Sequence, residues 1–143
     1  MLKKIFFIHV VCFILLPLGI PSQGFACRCA GSISPAAAYR QADIVVMGKV
    51  LAVTGDINKE GATARISVSK AWKKPIPSEV VVSTTTTCAF DFQTGEEYLL
   101  YLREAADGNG YTSRKCVGNL PSCKAEKALD WLKKRGVSTG IEP

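Results

Sequence analysis

Histidine is almost missing from this chain, which has 143 residues and one histidine, His9, inside an apolar N-terminal stretch. Residues 27–143 contain none, which excludes catalytic triads, histidine general bases and most catalytic zinc sites from that part. Gly-rich phosphate loops and dinucleotide fingerprints are missing too. The only adjacent carboxylates, Glu96 and Glu97, lie at the start of a predicted strand, where neighbouring side chains point to opposite faces. We therefore expect a protein that is not an enzyme and needs no cofactor.

Long hydrophobic runs are also scarce. The longest, Ile5–Leu16, is shorter than the roughly 20 residues that span a bilayer. Lys3 and Lys4 precede it, and small residues at 24 and 26 follow it, which is the pattern of a secretory signal peptide. We predict a signal peptide over residues 1–26, cleavage after Ala26, no membrane span, and a secreted, extracellular or periplasmic protein. A retained anchor and a lipid attached at Cys27 are the alternatives.

Charge and aromatic content are both modest. Removing Lys3 and Lys4 with the leader lowers the net charge from +6 to +4, and the remaining basic residues are scattered. Aromatic side chains for base stacking are sparse, so we expect no nucleic-acid partner. Residues 27–143 have the length of one domain, and we expect a monomer.

Alternating and β-branched segments dominate the mature region and predict a mainly β fold. Ser34 and Pro35 are typical of a helix start. Gly48, inside an otherwise apolar strand, predicts a bulge or a sharp bend. Five strands with two flanking helices favour a Greek-key barrel of the oligonucleotide/oligosaccharide-binding (OB) type, closed into a ring, with a β-sandwich as the alternative. The predicted elements are a short helix over 35–42, strands over 44–54, 64–72, 79–87, 98–103 and 111–116, and a final helix over 123–135.

Five cysteines remain after the leader, and in an exported domain they indicate a disulfide framework. Cys27 and Cys29 are too close in sequence to bond each other without strain, so both need distant partners. Candidates are Cys88, at the end of the third predicted strand, and Cys116, at the end of the fifth. Cys123 either pairs with Cys116 and leaves Cys29 free, or is the odd thiol; we prefer an unpaired Cys123 that packs as a small hydrophobe under the last helix.

Several motifs resemble a known family. Cys27-Arg28-Cys29, the following short helix, and the strand ADIVVMGKV resemble the netrin-like domain, and more closely the inhibitory domain of the tissue inhibitors of metalloproteinases. The resemblance continues through Thr87-Cys88, the segment GEEYLL and Cys116, and it extends to about Lys124. It implies an OB-type barrel with Cys27 joined to Cys88 and Cys29 joined to Cys116.

The resemblance also implies a mechanism. A freed α-amino group and the carbonyl oxygen of Cys27 would chelate the catalytic zinc of a target metalloprotease at its open coordination position. The contact residues would be Cys27, Arg28, Cys29, Ala30, Thr87 and Cys88.

The chain differs from the family at three points. Arg28 stands where the family presents a small residue to the protease's specificity pocket, and Ala30-Gly31 replaces a stiffer Pro-containing segment. One family disulfide and the second subdomain are missing, while Cys123 is additional. The partner is therefore expected to be a zinc metalloprotease, or another exported protein bound by a netrin-like module that does not inhibit.

Overall fold

Residues 27–85, 87–135 and 141–142 are described by the computed structural model, and the predicted signal peptide, residues 1–26, lies outside them. Short connections join two long strands, several shorter ones and two helices within these ranges. The helices are α1 (Pro35–Gln41) and α2 (Glu126–Arg135), with 3-10 turns at Lys115–Val117 and Ser122–Lys124, and the strands are β1 (Ile44–Asp56), β2 (Gly61–Trp72), β3 (Ile76–Pro77), β4 (Glu79–Thr84), β5 (Glu97–Glu104), β6 (Tyr111–Thr112), β7 (Leu120–Pro121) and β8 (Ile141–Glu142).

Five of these strands close into a barrel in the order β1-β2-β4-β6-β5 and back to β1. Strand β1 pairs antiparallel with both β2 and β5, and β2 pairs antiparallel with β4. The closing strand β6 has only two residues, and it lies parallel to β4 and antiparallel to β5. The predicted mainly β fold, a closed five-stranded barrel with a short N-terminal helix and a C-terminal helix, is therefore confirmed.

The long strand β1 bends where the sequence predicts it. Its register with β2 shifts between Met47 and Gly48, and again between Val50 and Ala52. A Cβ added at Gly48 would lie 2.5 Å from Cγ2 of Ile66 and 2.9 Å from the carbonyl oxygen of Ser67. Glycine is needed because the two backbones approach too closely for any side chain. The bend lets one strand pair with both neighbours of a small barrel.

Apolar side chains fill two separate cores. Strand β5 contributes to both, because Leu100 and Leu102 point into the barrel while Leu99 and Tyr101 point outward beneath the helices. The barrel core consists of Ile44, Val46, Val50, Ala64, Ile66, Val68, Ala71, Ile76, Val80, Val82, Phe92, Tyr98, Leu100 and Leu102. The outer core consists of Ala38, Ala42, Val45, Trp72, Leu99, Tyr101, Ala125, Ala128 and Leu132.

Four predicted boundaries are wrong by three or four residues. Strand β2 begins at Gly61 rather than Ala64, because its pairing with β1 continues to Asp56 and Gly61. Strand β4 ends at Thr84 rather than Thr87, because the Thr84 hydroxyl accepts a hydrogen bond from the Phe90 N–H at 2.8 Å and turns the chain. Strand β6 ends at Thr112 rather than Cys116, since the chain leaves the sheet for the 3-10 turn that carries Cys116. The last α-helix begins at Glu126 rather than Cys123, after a separate 3-10 turn.

The predicted start of α1 is confirmed in detail. Ser34 is the N-cap, its side chain accepts a hydrogen bond from the Ala37 N–H at 3.3 Å, and Pro35 follows in the first turn. The helix buries Ala38 against the outer core. It therefore begins a few residues after Cys29 and fixes the direction in which the N-terminal segment leaves the barrel.

Candidate functional site

The N-terminal tip, defined as residues 27–30, is held to the barrel by two disulfides. Cys27 bonds Cys88 with a Cα–Cα distance of 5.1 Å, and Cys29 bonds Cys116 with a Cα–Cα distance of 5.3 Å. The bonded residues are 61 and 87 positions apart in the sequence. The structure thus contains the pairing that the family resemblance implies, and it brings these four cysteines together at one end of the barrel.

The two disulfides lie side by side. Sγ of Cys27 is 3.8 Å from Sγ of Cys116, although these two cysteines are not bonded to each other. A backbone hydrogen bond also joins the two partner segments, with the Lys115 N–H donating to the Cys88 carbonyl at 2.9 Å. The tip and its two partner turns therefore form one cross-linked unit rather than three independent loops.

The turn that carries Cys88 is anchored in the barrel core. Phe90, Phe92 and Tyr98 make mutual edge-to-face contacts, with ring centroids 4.9 to 6.3 Å apart. Cys88 itself has a φ of +61°, which a residue with a side chain adopts only when its surroundings hold it there. The disulfide, the Lys115 hydrogen bond and this aromatic cluster supply that constraint.

The residues of the tip differ in their exposure to solvent. Arg28, Cys29 and Ala30 are exposed, while Cys27 is partly buried against the barrel end. Thr87 is exposed beside the partly buried Cys88. Within the described ranges, Arg28 makes no ion pair or side-chain hydrogen bond. The tip therefore exposes its backbone and one charged side chain on a base that two disulfides cross-link.

Asn119 organises the turn that carries Cys116, and the sequence analysis missed it. Its Oδ1 accepts a hydrogen bond from the Tyr101 N–H at 2.9 Å. Its Nδ2 donates to the Ser113 hydroxyl at 2.7 Å and to the Arg114 carbonyl at 3.3 Å. Gly118, with a φ of +106°, precedes it. The dipeptide Gly-Asn shortly after a cysteine is the signal that could have identified this turn.

Cys123 is unpaired, as expected, but its predicted environment is wrong. The thiol is exposed, not packed under the last helix. The reason is that Cys123 lies in the 3-10 turn before α2, whereas Ala125, Ala128 and Leu132 provide the apolar contacts of the helix. A disulfide between Cys116 and Cys123 is not formed, since Cys116 bonds Cys29.

The described residues contain no group of three or more histidine, cysteine or acidic side chains placed to hold a metal ion. Among those residues, no helix has both the length and the apolar character needed to cross a bilayer.

Comparisons with known proteins add no family assignment. No protein-family model matches the chain, and no curated protein is similar enough to it to count as a relative.

Proposed function

We propose that this protein is an exported inhibitor of zinc metalloproteases and that it acts through its N-terminal tip. One observation carries the proposal: the tip is exposed from Arg28 to Ala30, and two adjacent disulfides, at Cys27 and Cys29, hold it in one conformation. Disulfides of this kind are typical of proteins from oxidising compartments, which agrees with export. The proposal rests further on the resemblance of Cys27-Arg28-Cys29 to the tissue inhibitors of metalloproteinases.

The chemistry requires cleavage between Ala26 and Cys27. This cut converts the amide nitrogen of Cys27 into an α-amine, which titrates close to neutral pH and so offers a lone pair there. The amine nitrogen and the carbonyl oxygen of Cys27 would then bind the protease zinc in place of its water. An intact peptide bond before Cys27 has no such lone pair, so the mechanism depends on the cleavage site.

The disulfides explain how a short segment could bind tightly. A free tetrapeptide loses conformational entropy when it binds, whereas the tip is already ordered by its bonds to Cys88 and Cys116. The Lys115–Cys88 hydrogen bond adds a further constraint on the partner turns. Thr87, next to Cys88, would form a second contact beside the tip.

Arg28 would select the target. Its guanidinium is exposed, and the resemblance to the tissue inhibitors of metalloproteinases implies that the residue after Cys27 enters the main specificity pocket of the protease. Burying an unpaired guanidinium in an apolar pocket is costly, whereas a carboxylate in the pocket would compensate for it. We therefore expect preference for metalloproteases that accept a basic residue.

The proposal is tested by inhibition constants for three proteins: wild type, a variant with one alanine inserted before Cys27, and Arg28→Thr. The inserted residue turns the amine into an amide and fills the coordination space, so inhibition of every susceptible protease should disappear. Arg28→Thr should inhibit proteases with apolar pockets about 5- to 150-fold more tightly, because it removes a charge-burial cost of about 1–3 kcal/mol. Equal unfolding midpoints for the three proteins would show that the fold is unchanged.

The intact mass of the exported wild-type protein is measured alongside these assays, because the mechanism requires a chain that starts at Cys27 with a free amine. Inhibition by the extended variant as strong as that of wild type would refute zinc chelation. The three proteins are assayed against several zinc proteases. If none of the three inhibits any of them, the inhibitor proposal is wrong, and the alternative, a netrin-like module that binds another exported protein, takes its place.

A further inference from the structure

Two adjoining cavities lie next to β5, on the side of the barrel covered by α1 and the Cys116 turn. Their volumes are about 380 and 410 Å³. Both are lined by Arg103 and Arg114, and Arg40 lines the second. The residues common to both cavities are Asp43, Tyr101, Arg103, Arg114 and Val117, so we treat them as one feature, the arginine cleft.

The three arginines of the cleft lack acidic partners within the described ranges. Arg40, Arg103 and Arg114 form no ion pair there, and their guanidinium groups make no hydrogen bond. Two carboxylates also line the cleft, and neither lies within ion-pair distance of a guanidinium group of the described residues. Asp43 accepts a hydrogen bond from the Glu104 N–H at 2.9 Å, and the Glu104 carboxylate pairs with Lys74. The cleft therefore holds an excess of positive charge with unused donors.

Tyr101 provides a second and independent observation. Its side chain is only 2% exposed, yet its hydroxyl has no hydrogen-bond partner among the described residues. Burial raises the pKa of Tyr101 to about 12, so the hydroxyl keeps its proton at physiological pH and remains a donor. The hydroxyl is closed to water, so an oxyanion in the cleft would reach it only after the side chains that cover it shift, and the new hydrogen bond would then recover the free energy that an unsatisfied buried hydroxyl costs.

We propose that the arginine cleft binds an oxyanion, meaning a carboxylate, phosphate or sulfate group. Guanidinium groups bind such groups through paired hydrogen bonds, and their charge is retained at any physiological pH. The hydroxyl side chains that line the first cavity are already engaged: Ser83 shares a hydrogen bond with Thr63, and Thr85 and Thr112 donate to the carbonyl oxygens of Thr87 and Arg103. The guanidinium groups therefore supply the donors for the oxyanion. The site does not depend on zinc chelation by Cys27, and it lies outside the tip.

The proposal is tested by titrating the oxidised protein with sodium phosphate, sodium sulfate and sodium malonate, each against sodium chloride at equal ionic strength. Binding is followed by the backbone amide and arginine Nε signals in two-dimensional NMR spectra. We expect saturable shifts centred on residues 40, 101, 103 and 114 for at least one of the oxyanions. If malonate is the one oxyanion that binds, the ligand is a carboxylate. If phosphate or sulfate binds more tightly than malonate, the ligand is a tetrahedral oxyanion. Shifts no larger than those in chloride for all three would refute the site.

Two single variants and one control sharpen the test. Arg103→Gln and Arg114→Gln should each weaken binding about tenfold or more, because each removes charge-assisted hydrogen bonds. Arg65→Gln removes the same charge from an exposed ion pair with Glu79 outside the cleft, so it should leave the affinity within about twofold. Equal losses for Arg65→Gln and the two cleft variants would mean general charge attraction and would refute the proposal.

The variant Tyr101→Phe shows whether the Tyr101 hydroxyl binds the anion or affects the stability of the fold alone. Without added anion, this variant should be at least as stable as wild type, because it removes a buried hydroxyl that has no partner. Its anion affinity should nevertheless fall about tenfold or more, the value of one hydrogen bond to a charged group. An affinity equal to that of wild type would contradict the placement of the bound oxyanion against this hydroxyl.

Discussion

Sγ of Cys27 lies 3.8 Å from Sγ of Cys116, which is 89 residues away in the sequence. The two atoms belong to different disulfides, so their contact shows that the bridges stack against each other instead of anchoring separate parts of the barrel. Loss of either bridge would therefore loosen the packing of the other. The contact therefore couples the two bridges that hold the tip, and the first prediction tests the bridge between Cys27 and Cys88.

Cys88→Ser should destabilise the protein far more than Cys123→Ser. The first opens a loop of 61 residues, which is worth about 4 kcal/mol in the chain-entropy model. The second changes an exposed, unpaired side chain and should alter the free energy of unfolding by less than about 0.5 kcal/mol. Urea titration measures both. The double variant Cys27→Ser/Cys88→Ser controls for the thiol that the single variant releases, and equal midpoints for Cys88→Ser and Cys123→Ser would contradict the bridge.

Gly48→Ala should destabilise the barrel by about 1–3 kcal/mol, the usual cost of forcing an extra carbon into a packed site. The added Cβ would meet Ile66 and the backbone of Ser67 at a bulge of β1. Gly95→Ala is the comparison, because a Cβ there meets no atom within 4 Å and only its φ of +88° opposes the change. Thermal unfolding should rank Gly48→Ala as the more damaging, and the reverse order would argue against close backbone contact at the bulge.

Asn119→Ala should cost about 1–3 kcal/mol, because it leaves the buried Tyr101 N–H without its side-chain acceptor. Asn119→Asp is the matched variant, since it keeps an acceptor for Tyr101 and removes the two donors to Ser113 and Arg114. We expect a smaller loss for the aspartate than for the alanine, measured by urea titration. A larger loss for the aspartate would mean that the donors, rather than the acceptor, hold the Cys116 turn.

Stability should fall as the pH rises above 10. Burial raises the pKa of Tyr101 from its ordinary value of 10.0 to about 12, so the unfolded chain loses this proton first and unfolding becomes easier over that interval. The full difference corresponds to a loss on the order of 2–3 kcal/mol. Burial also raises the pKa of Tyr98, and the hydrogen bond to Glu104 raises the pKa of Lys74, so both groups act in the same direction.

Unfolding midpoints of wild type and Tyr101→Phe between pH 8 and 11 check this prediction. Both proteins carry Cys123→Ser, which removes the unpaired thiol that could exchange with the disulfides. Tyr101→Phe should lose stability less steeply than the protein that keeps the tyrosine. Parallel curves for the two proteins would show that Tyr101 does not contribute to the alkaline transition.

Much of the fold follows from local sequence patterns. Alternation and β-branched residues predicted the positions of the long strands, because a side chain in a strand faces one side of a sheet or the other with a period of two. Ser34 and Pro35 predicted the start of α1 for an equally local reason, namely capping of free N–H groups. Gly48 marked the bend of β1, since a missing side chain in an apolar strand signals close backbone approach.

The sequence by itself determined the number of cysteines, the positions of the long strands and the lack of histidine in residues 27–143. Only the tertiary structure decided where β6 ends, because that strand pairs with β4 and β5 for two residues and pairing depends on distant partners. Tertiary structure also decided that Cys123 is exposed and that Arg40, Arg103 and Arg114 line one cleft. Such positions depend on how separate segments meet when the barrel closes, and no local pattern encodes that meeting.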